Sequence, residues 1–291
     1  FDPQPLLKEI ERLGRAAWID HRLKNLFSIP LVANIDNKAR WCSAIDKLPK
    51  LQSLLHTWNA PIGESRVSIL KPRAVVESHV DVDYYWKHRL RVHIVLQTNP
   101  KALFGCGKQI LSLPAGQLWV SNNWAPHWIS NKGDSDRIHV VIDTVGSPTL
   151  WRWVDKGWHS TSKISIPTCE ELTPLPLTET NPQLSLERNS KMTIRTPAQL
   201  QEIVEDCLHD MNNTVSIQDR TVCRSQLRVL VLTWRSIYSL HADESTAYPL
   251  YTTALNKALN NMPNPIFWNG TDLHTTLKIQ VGASLFFEST R

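Results

Sequence analysis

The chain has no apolar run near the roughly 18 residues that a membrane-spanning helix needs, so no membrane segment is expected. It has no Cys-x-x-Cys pair: Cys42, Cys106, Cys169, Cys207 and Cys223 are odd in number and widely spaced. That argues against a disulfide framework or a zinc knuckle, and the pattern favours a reducing, cytoplasmic setting. There is no block of five or six like charges. The net charge of +5, from 32 Lys+Arg against 27 Asp+Glu, is that of an ordinary solvated surface, and no nucleic-acid partner is expected. The opening Phe1-Asp2-Pro3 lacks a charged segment followed by an apolar one, so no signal peptide is expected. A start at Phe1 implies the loss of at least an initiator methionine. No internal repeat or low-complexity tract appears.

What remains is a globular composition, 42% apolar and 20% charged over 291 residues, enough for a substantial core. Apolar spacing predicts an amphipathic helix over Leu6 to Leu23 and a second near Leu48–Trp58. From residue 66 the period changes to that of strands. Val67–Leu70, Arg91–Leu96, Gln109–Leu113, Gln117–Val120 and Ile138–Asp143 are short, β-rich and separated by turn signals such as Asn99-Pro100 and Pro114-Ala115-Gly116. Closely spaced strands of this kind predict an antiparallel barrel or sandwich of the jelly-roll or cupin type. Residues 161–195, rich in Ser, Thr and Pro, read as a connector. Thr196-Pro197-Ala198-Gln199 is a helix-start signature, and helices are predicted near 197–211, 216–241 and 246–261.

His79-Val80-Asp81 carries the most chemistry. On an extended chain His79 and Asp81 project to one side, and a later His127 can complete two histidines and a carboxylate around one face of a divalent first-row metal. The triplet alone does not decide this. His-x-Asp arises by chance in a chain with eleven histidines, and Asp83 has the same strand parity as Asp81. A zinc hydrolase using the same three residues is an open alternative, although Glu77 is its only nearby candidate base. The tryptophans around this region, Trp86, Trp119, Trp124 and Trp128, read first as packing residues.

Four separated segments add to this: Arg89–Pro100 (RLRVHIVLQTNP), Pro114–Trp119 (PAGQLW), His127 with Asn131, and Arg137–Asp143 (RIHVVID). Over residues 68–143 the chain resembles the aspartyl/asparaginyl β-hydroxylase family, including its bacterial proline hydroxylase members. The resemblance implies a mainly β fold with added α: a double-stranded β-helix core over 63–160, with a helical or mixed segment over 1–62 packing on it. The helical domain after the connector, over 196–291, is similar in arrangement to free-proline hydroxylases.

The resemblance further implies Fe(II), with 2-oxoglutarate and dioxygen as cosubstrates and ascorbate as an activator in vitro. His79, Asp81 and His127 match the metal ligands, Asp81 being the carboxylate of the proline hydroxylase branch. Arg137 matches the arginine that pairs with the far carboxylate of 2-oxoglutarate, and Ser68 a serine on the same carboxylate, though Ser68 reads equally as a plain strand serine. His93 and Arg91 match residues facing cosubstrate or substrate. Arg89 and Trp124 are further candidates at the substrate, as a carboxylate partner and as dry wall beside the metal. His139 shares the face of Arg137, either lining the pocket or serving a structural role. The implied reaction is hydroxylation of an unactivated carbon in a free proline-like or Asp/Asn-like amino acid, with release of succinate and carbon dioxide. Hydroxylation of a residue within a peptide or protein, and a non-catalytic 2-oxoglutarate sensor, are the alternatives.

Overall fold

A computed structural model describes residues 1–21, 25–35, 38–159, 166, 168, 175, 183–188, 194–211 and 215–287, with backbone only for 283–287. The chain divides into two compact units, residues 1–79 with 88–190, and residues 80–87 with 191–291.

The first unit opens with α1 (Gln4–Leu13), which ends sooner than its apolar pattern predicts. Gly14 adopts φ 67°, a left-handed conformation that favours glycine and turns the chain out of the helix. Ile19–Asp20 then forms β1, and the remainder of the expected helix lies partly outside the described residues. β2 (Leu26–Ile35) and β3 (Lys38–Trp41) follow, then α2 (Pro49–His56). The N-terminal segment therefore does more than pack on the barrel, because β2 is a strand of its larger sheet.

The remaining strands are β4 (Ser65–Leu70), β5 (Val75–His79), β6 (Leu90–Gln97), β7 (Ala102–Cys106), β8 (Gln109–Leu111), β9 (Leu118–Ser121), β10 (His127–Asn131) and β11 (Arg137–Thr144). They form a larger sheet in the order β1-β2-β4-β11-β6-β9, with β3 also on β2, and a smaller sheet in the order β5-β10-β7-β8. From β4 to β11 the strands alternate between the two sheets, apart from the β7–β8 hairpin within the smaller one, and they pair antiparallel, which is the winding of a double-stranded β-helix.

Strand parity explains the apolar density of β4, β6 and β11. Val67, Ile69, Val92, Ile94, Val140 and Ile142 form one core cluster with Leu6, Ile10, Leu54 and Trp58 of the N-terminal helical region. The alternate residues, Arg66, Ser68, Arg91, His93, Arg137 and Val141, line a cavity. A sheet buried on both faces needs apolar residues at every outward position and tolerates polar ones only where they meet partners or ligand. Glu9 of α1 is buried, and its carboxylate accepts from the Lys50 and Leu51 amides at the start of α2 (2.9 and 3.4 Å), groups that the helix itself leaves unpaired. α4 (Pro148–Lys156) closes this region, capped by the Ser147 hydroxyl.

In the second unit the predicted helices appear as α5 (Pro197–Asp210), α6 (Ile217–His241) and α7 (Tyr248–Asn260), and the Thr196–Gln199 capping box forms. A hairpin, β12 (Phe267–Trp268) with β13 (Thr271–Asp272), and α8 (Leu273–Phe287) were not anticipated. Nor was α3 (Tyr84–Lys87), which belongs to this unit. Tyr84 and Tyr85 are buried; the Tyr84 hydroxyl donates to Glu202, and the Arg195 guanidinium lies 4.5 Å from the Tyr84 ring centre. Most of the predicted connector, including Cys169, lies outside the described residues; the other four cysteines are free.

Candidate metal and carboxylate site

His79 ends β5, and His127 begins β10 directly opposite it, with ring centres 4.3 Å apart. Cross-strand neighbours on one face meet in this way. Asp81 follows His79 by two residues, and one potential ligand atom from each of His79, Asp81 and His127 lies within 4.8 Å of the others. The same hydrogen bond fixes both rings. His79 Nδ1 is 2.8 Å from the Glu77 carbonyl and His127 Nδ1 is 3.0 Å from the Ala125 carbonyl. A carbonyl only accepts, so each Nδ1 carries the proton and each Nε2 keeps its lone pair. Orientation by a backbone acceptor is how metal-binding histidines are commonly held. Neutral imidazole nitrogens and one carboxylate suit a divalent first-row metal.

His79 and His127 also line a cavity of about 200 Å³ that reaches Arg137. Arg137, 2% exposed, makes one described hydrogen bond, from Nη2 to Nδ1 of His139 (3.0 Å), and no described residue offers it a carboxylate. Burial pulls its pKa down to about 9. A buried guanidinium without a counter-charge is costly, so this end of the cavity is built for an anion. Ser68 stands directly across the sheet from His139 and lines the same cavity. His93 and His139 are driven well below the usual histidine range by burial, then by the field of Arg137. Both are therefore neutral. His93 Nδ1 and His139 Nε2 are buried without a hydrogen-bond partner.

The substrate candidates fare unevenly. Arg91 lines the cavity, but its Nε and Nη2 donate to the two oxygens of Asp143 (2.8 and 3.0 Å) in a buried fork-to-fork pair. Arg89 does not line the cavity: its Nε and Nη2 both donate to Glu187 (3.0 and 2.8 Å). Parity does not separate the two: Arg89 precedes β6, and each guanidinium follows its own carboxylate, Glu187 for Arg89 and Asp143 for Arg91. Trp124, half-buried in the turn before β10, does not line it either. Six residues that sequence reasoning passed over do line it: Arg66, His21, Leu26, Val76, Phe104 and Ile129. Arg66 had a readable signal, standing two residues before Ser68 on the same strand face.

Residues 22–146 match the model of the aspartyl/asparaginyl beta-hydroxylase family. The matched stretch is under half of the chain. It contains the three metal-site residues, Ser68, His93 and Arg137. No curated protein matches the chain. Among solved structures, an oxidoreductase of the 2OG-Fe(II) oxygenase family from Burkholderia pseudomallei shares 12% identity over 47% of this chain and 76% of its own, with a TM-score of 0.39. A cupin 2 conserved barrel domain protein from Salinispora arenicola shares 16% identity over 49% of this chain and 92% of its own, with a TM-score of 0.28.

Proposed function

We propose that the chain is an Fe(II)- and 2-oxoglutarate-dependent hydroxylase of an amino acid, free and proline-like or Asp/Asn-like, working in the cytoplasm. The observation that carries this reading is one cavity with two ends. His79 and His127 line one end, with a ligand atom of Asp81 within 4.8 Å of theirs; at the other end a buried arginine lacks a counter-charge among the described residues. A small dicarboxylate with a chelating keto-acid head fits both.

His79, Asp81 and His127 would hold the iron, which supplies the activation of dioxygen coupled to decarboxylation of 2-oxoglutarate to succinate. Arg137 binds the far carboxylate through its guanidinium fork, and the Ser68 hydroxyl donates to the same group. His139 accepts from Arg137 and so fixes the orientation of that fork. Neutral His93, with Val76, Phe104, Ile129 and Val141, supplies the uncharged part of the wall between the two ends and shields it from water. Asp81 supports the proline hydroxylase branch, because it provides the carboxylate ligand of that pattern.

The test is a mass-spectrometric screen of free amino acids and short peptides for a product heavier by one oxygen atom, with Fe(II), 2-oxoglutarate and ascorbate supplied. Asp81→Ala and His127→Ala should lose metal binding and turnover together. A product from peptides alone would move the substrate to the peptide-bound class. Saturable 2-oxoglutarate binding with no turnover on any candidate would favour a sensor. Activity under strict exclusion of oxygen would sink the proposal.

A further inference from the structure

A second cavity, of about 400 Å³, is twice the size of the metal cavity and is built from different chemistry. Its walls come from β7, β8 and β9, the end of α4 and the residues just after it. The two cavities share only His93 and Phe104, whose ring centres are 5.3 Å apart. These rings form the partition between them.

The metal cavity is lined by Arg66, Arg91 and Arg137. Among the described residues lining the second cavity there is no Asp, Glu, Lys or Arg. A charged ligand would find no counter-charge there, and desolvating it would cost more than the cavity returns. The apolar wall includes Phe104, Leu111, Leu113 and Val154. Trp119 and Trp158 also line it, as an edge-to-face pair with ring centres 5.7 Å apart. Trp119 Nε1 donates to Gln117 (3.1 Å), which satisfies the indole's polar edge and leaves its carbon surface to pack. Small-molecule sites are commonly of about 300–1,000 Å³, mostly apolar and aromatic, with few polar groups.

We propose that this cavity binds an uncharged, ring-bearing molecule about the size of a bicyclic aromatic, at a site separate from the metal cavity. The inference goes beyond the hydroxylase reading and does not need it to hold.

Fluorine NMR of 5-fluoroindole with the full chain tests this, with no metal or 2-oxoglutarate added. The expected result is a saturable shift and broadening of the fluorine line. Leu111→Trp fills the cavity and should abolish the effect. Trp158→Ala removes one ring of the wall and should weaken binding about tenfold; it covers the case in which the larger residue prevents folding. Adding 2-oxoglutarate should leave 5-fluoroindole bound. No saturable binding, affinity unchanged by Trp158→Ala, or displacement by 2-oxoglutarate would each overturn the proposal. None of these results bears on whether the chain hydroxylates anything.

Discussion

Arg137 donates to Nδ1 of His139 across 3.0 Å, and both side chains are almost wholly shielded from water. The pair lies on one strand, two residues apart, so the imidazole that orients the guanidinium comes from the same face of β11. His139→Phe keeps an aromatic ring of similar bulk and removes the acceptor. A hydrogen bond involving a charged group contributes about 1.5–3 kcal/mol. On the proposed function, the KM for 2-oxoglutarate should therefore rise about tenfold or more while metal affinity stays unchanged. Calorimetric titration of 2-oxoglutarate checks binding separately from turnover, and equal affinity in the variant would remove His139 from the site.

The same histidines make stability depend on pH. Burial holds His93 and His139 neutral in the folded protein, well below their ordinary range. In the unfolded chain they take up protons below about pH 6.5. The unfolded state then binds more protons, so this contribution is fully present above that pH and is lost as pH falls below it. The slope approaches about 1.4 kcal/mol per pH unit for each histidine. Urea midpoints measured from neutral to mildly acidic pH should fall, and His139→Phe should flatten the fall. An unchanged slope in that variant would show that His139 does not contribute.

Much of this arrangement was legible from residue spacing. The two-residue period placed Arg91 with His93 and Arg137 with His139, and the turn signals located β4, β6, β8, β9 and β11. The capping box at Thr196 marked the start of α5 to the residue. Spacing could not show that Asp143 claims the Arg91 guanidinium, because that depends on which strands become neighbours: β11 pairs with β6, and Asp143 falls opposite Arg91. The pairing of Arg89 is hidden from the sequence for a related reason. Its partner Glu187 is 98 residues away, and no local pattern announces it. Helix α1 was drawn too long because its apolar period continues past Gly14, whereas the backbone at that glycine does not.

Asp143 and Arg91 form the best-shielded ion pair among the described residues, with side chains 1% and 7% exposed. Removing one partner leaves an uncompensated buried charge, which costs about 3–5 kcal/mol, whereas replacing both with apolar residues is often neutral. Asp143→Ala should thus destabilise strongly in urea unfolding, and Arg91→Met combined with Asp143→Leu should recover most of the loss. A single-variant loss below about 1 kcal/mol would mean that water or another group reaches the guanidinium. That outcome would return Arg91 to the substrate side of the ledger.

Gly105 has a different task, set by close approach. It sits on β7 opposite Trp128 of β10, one residue after His127. A Cβ at position 105 would come within 2.2 Å of Trp128 Nε1, far inside contact distance. The indole is too large to yield by a small torsion, so either the ring turns out or the two strands part. Overpacking of this kind costs about 1–3 kcal/mol. Because Trp128 adjoins a metal-site histidine, Gly105→Ala should lower both the unfolding midpoint and metal affinity. Replacing the indole as well, in Gly105→Ala with Trp128→Leu, should relieve the overlap and restore metal binding in part. Metal titration of the single and double variants reads this directly. If the single variant binds metal as tightly as the parent, the position of His127 does not depend on the packing of its neighbour.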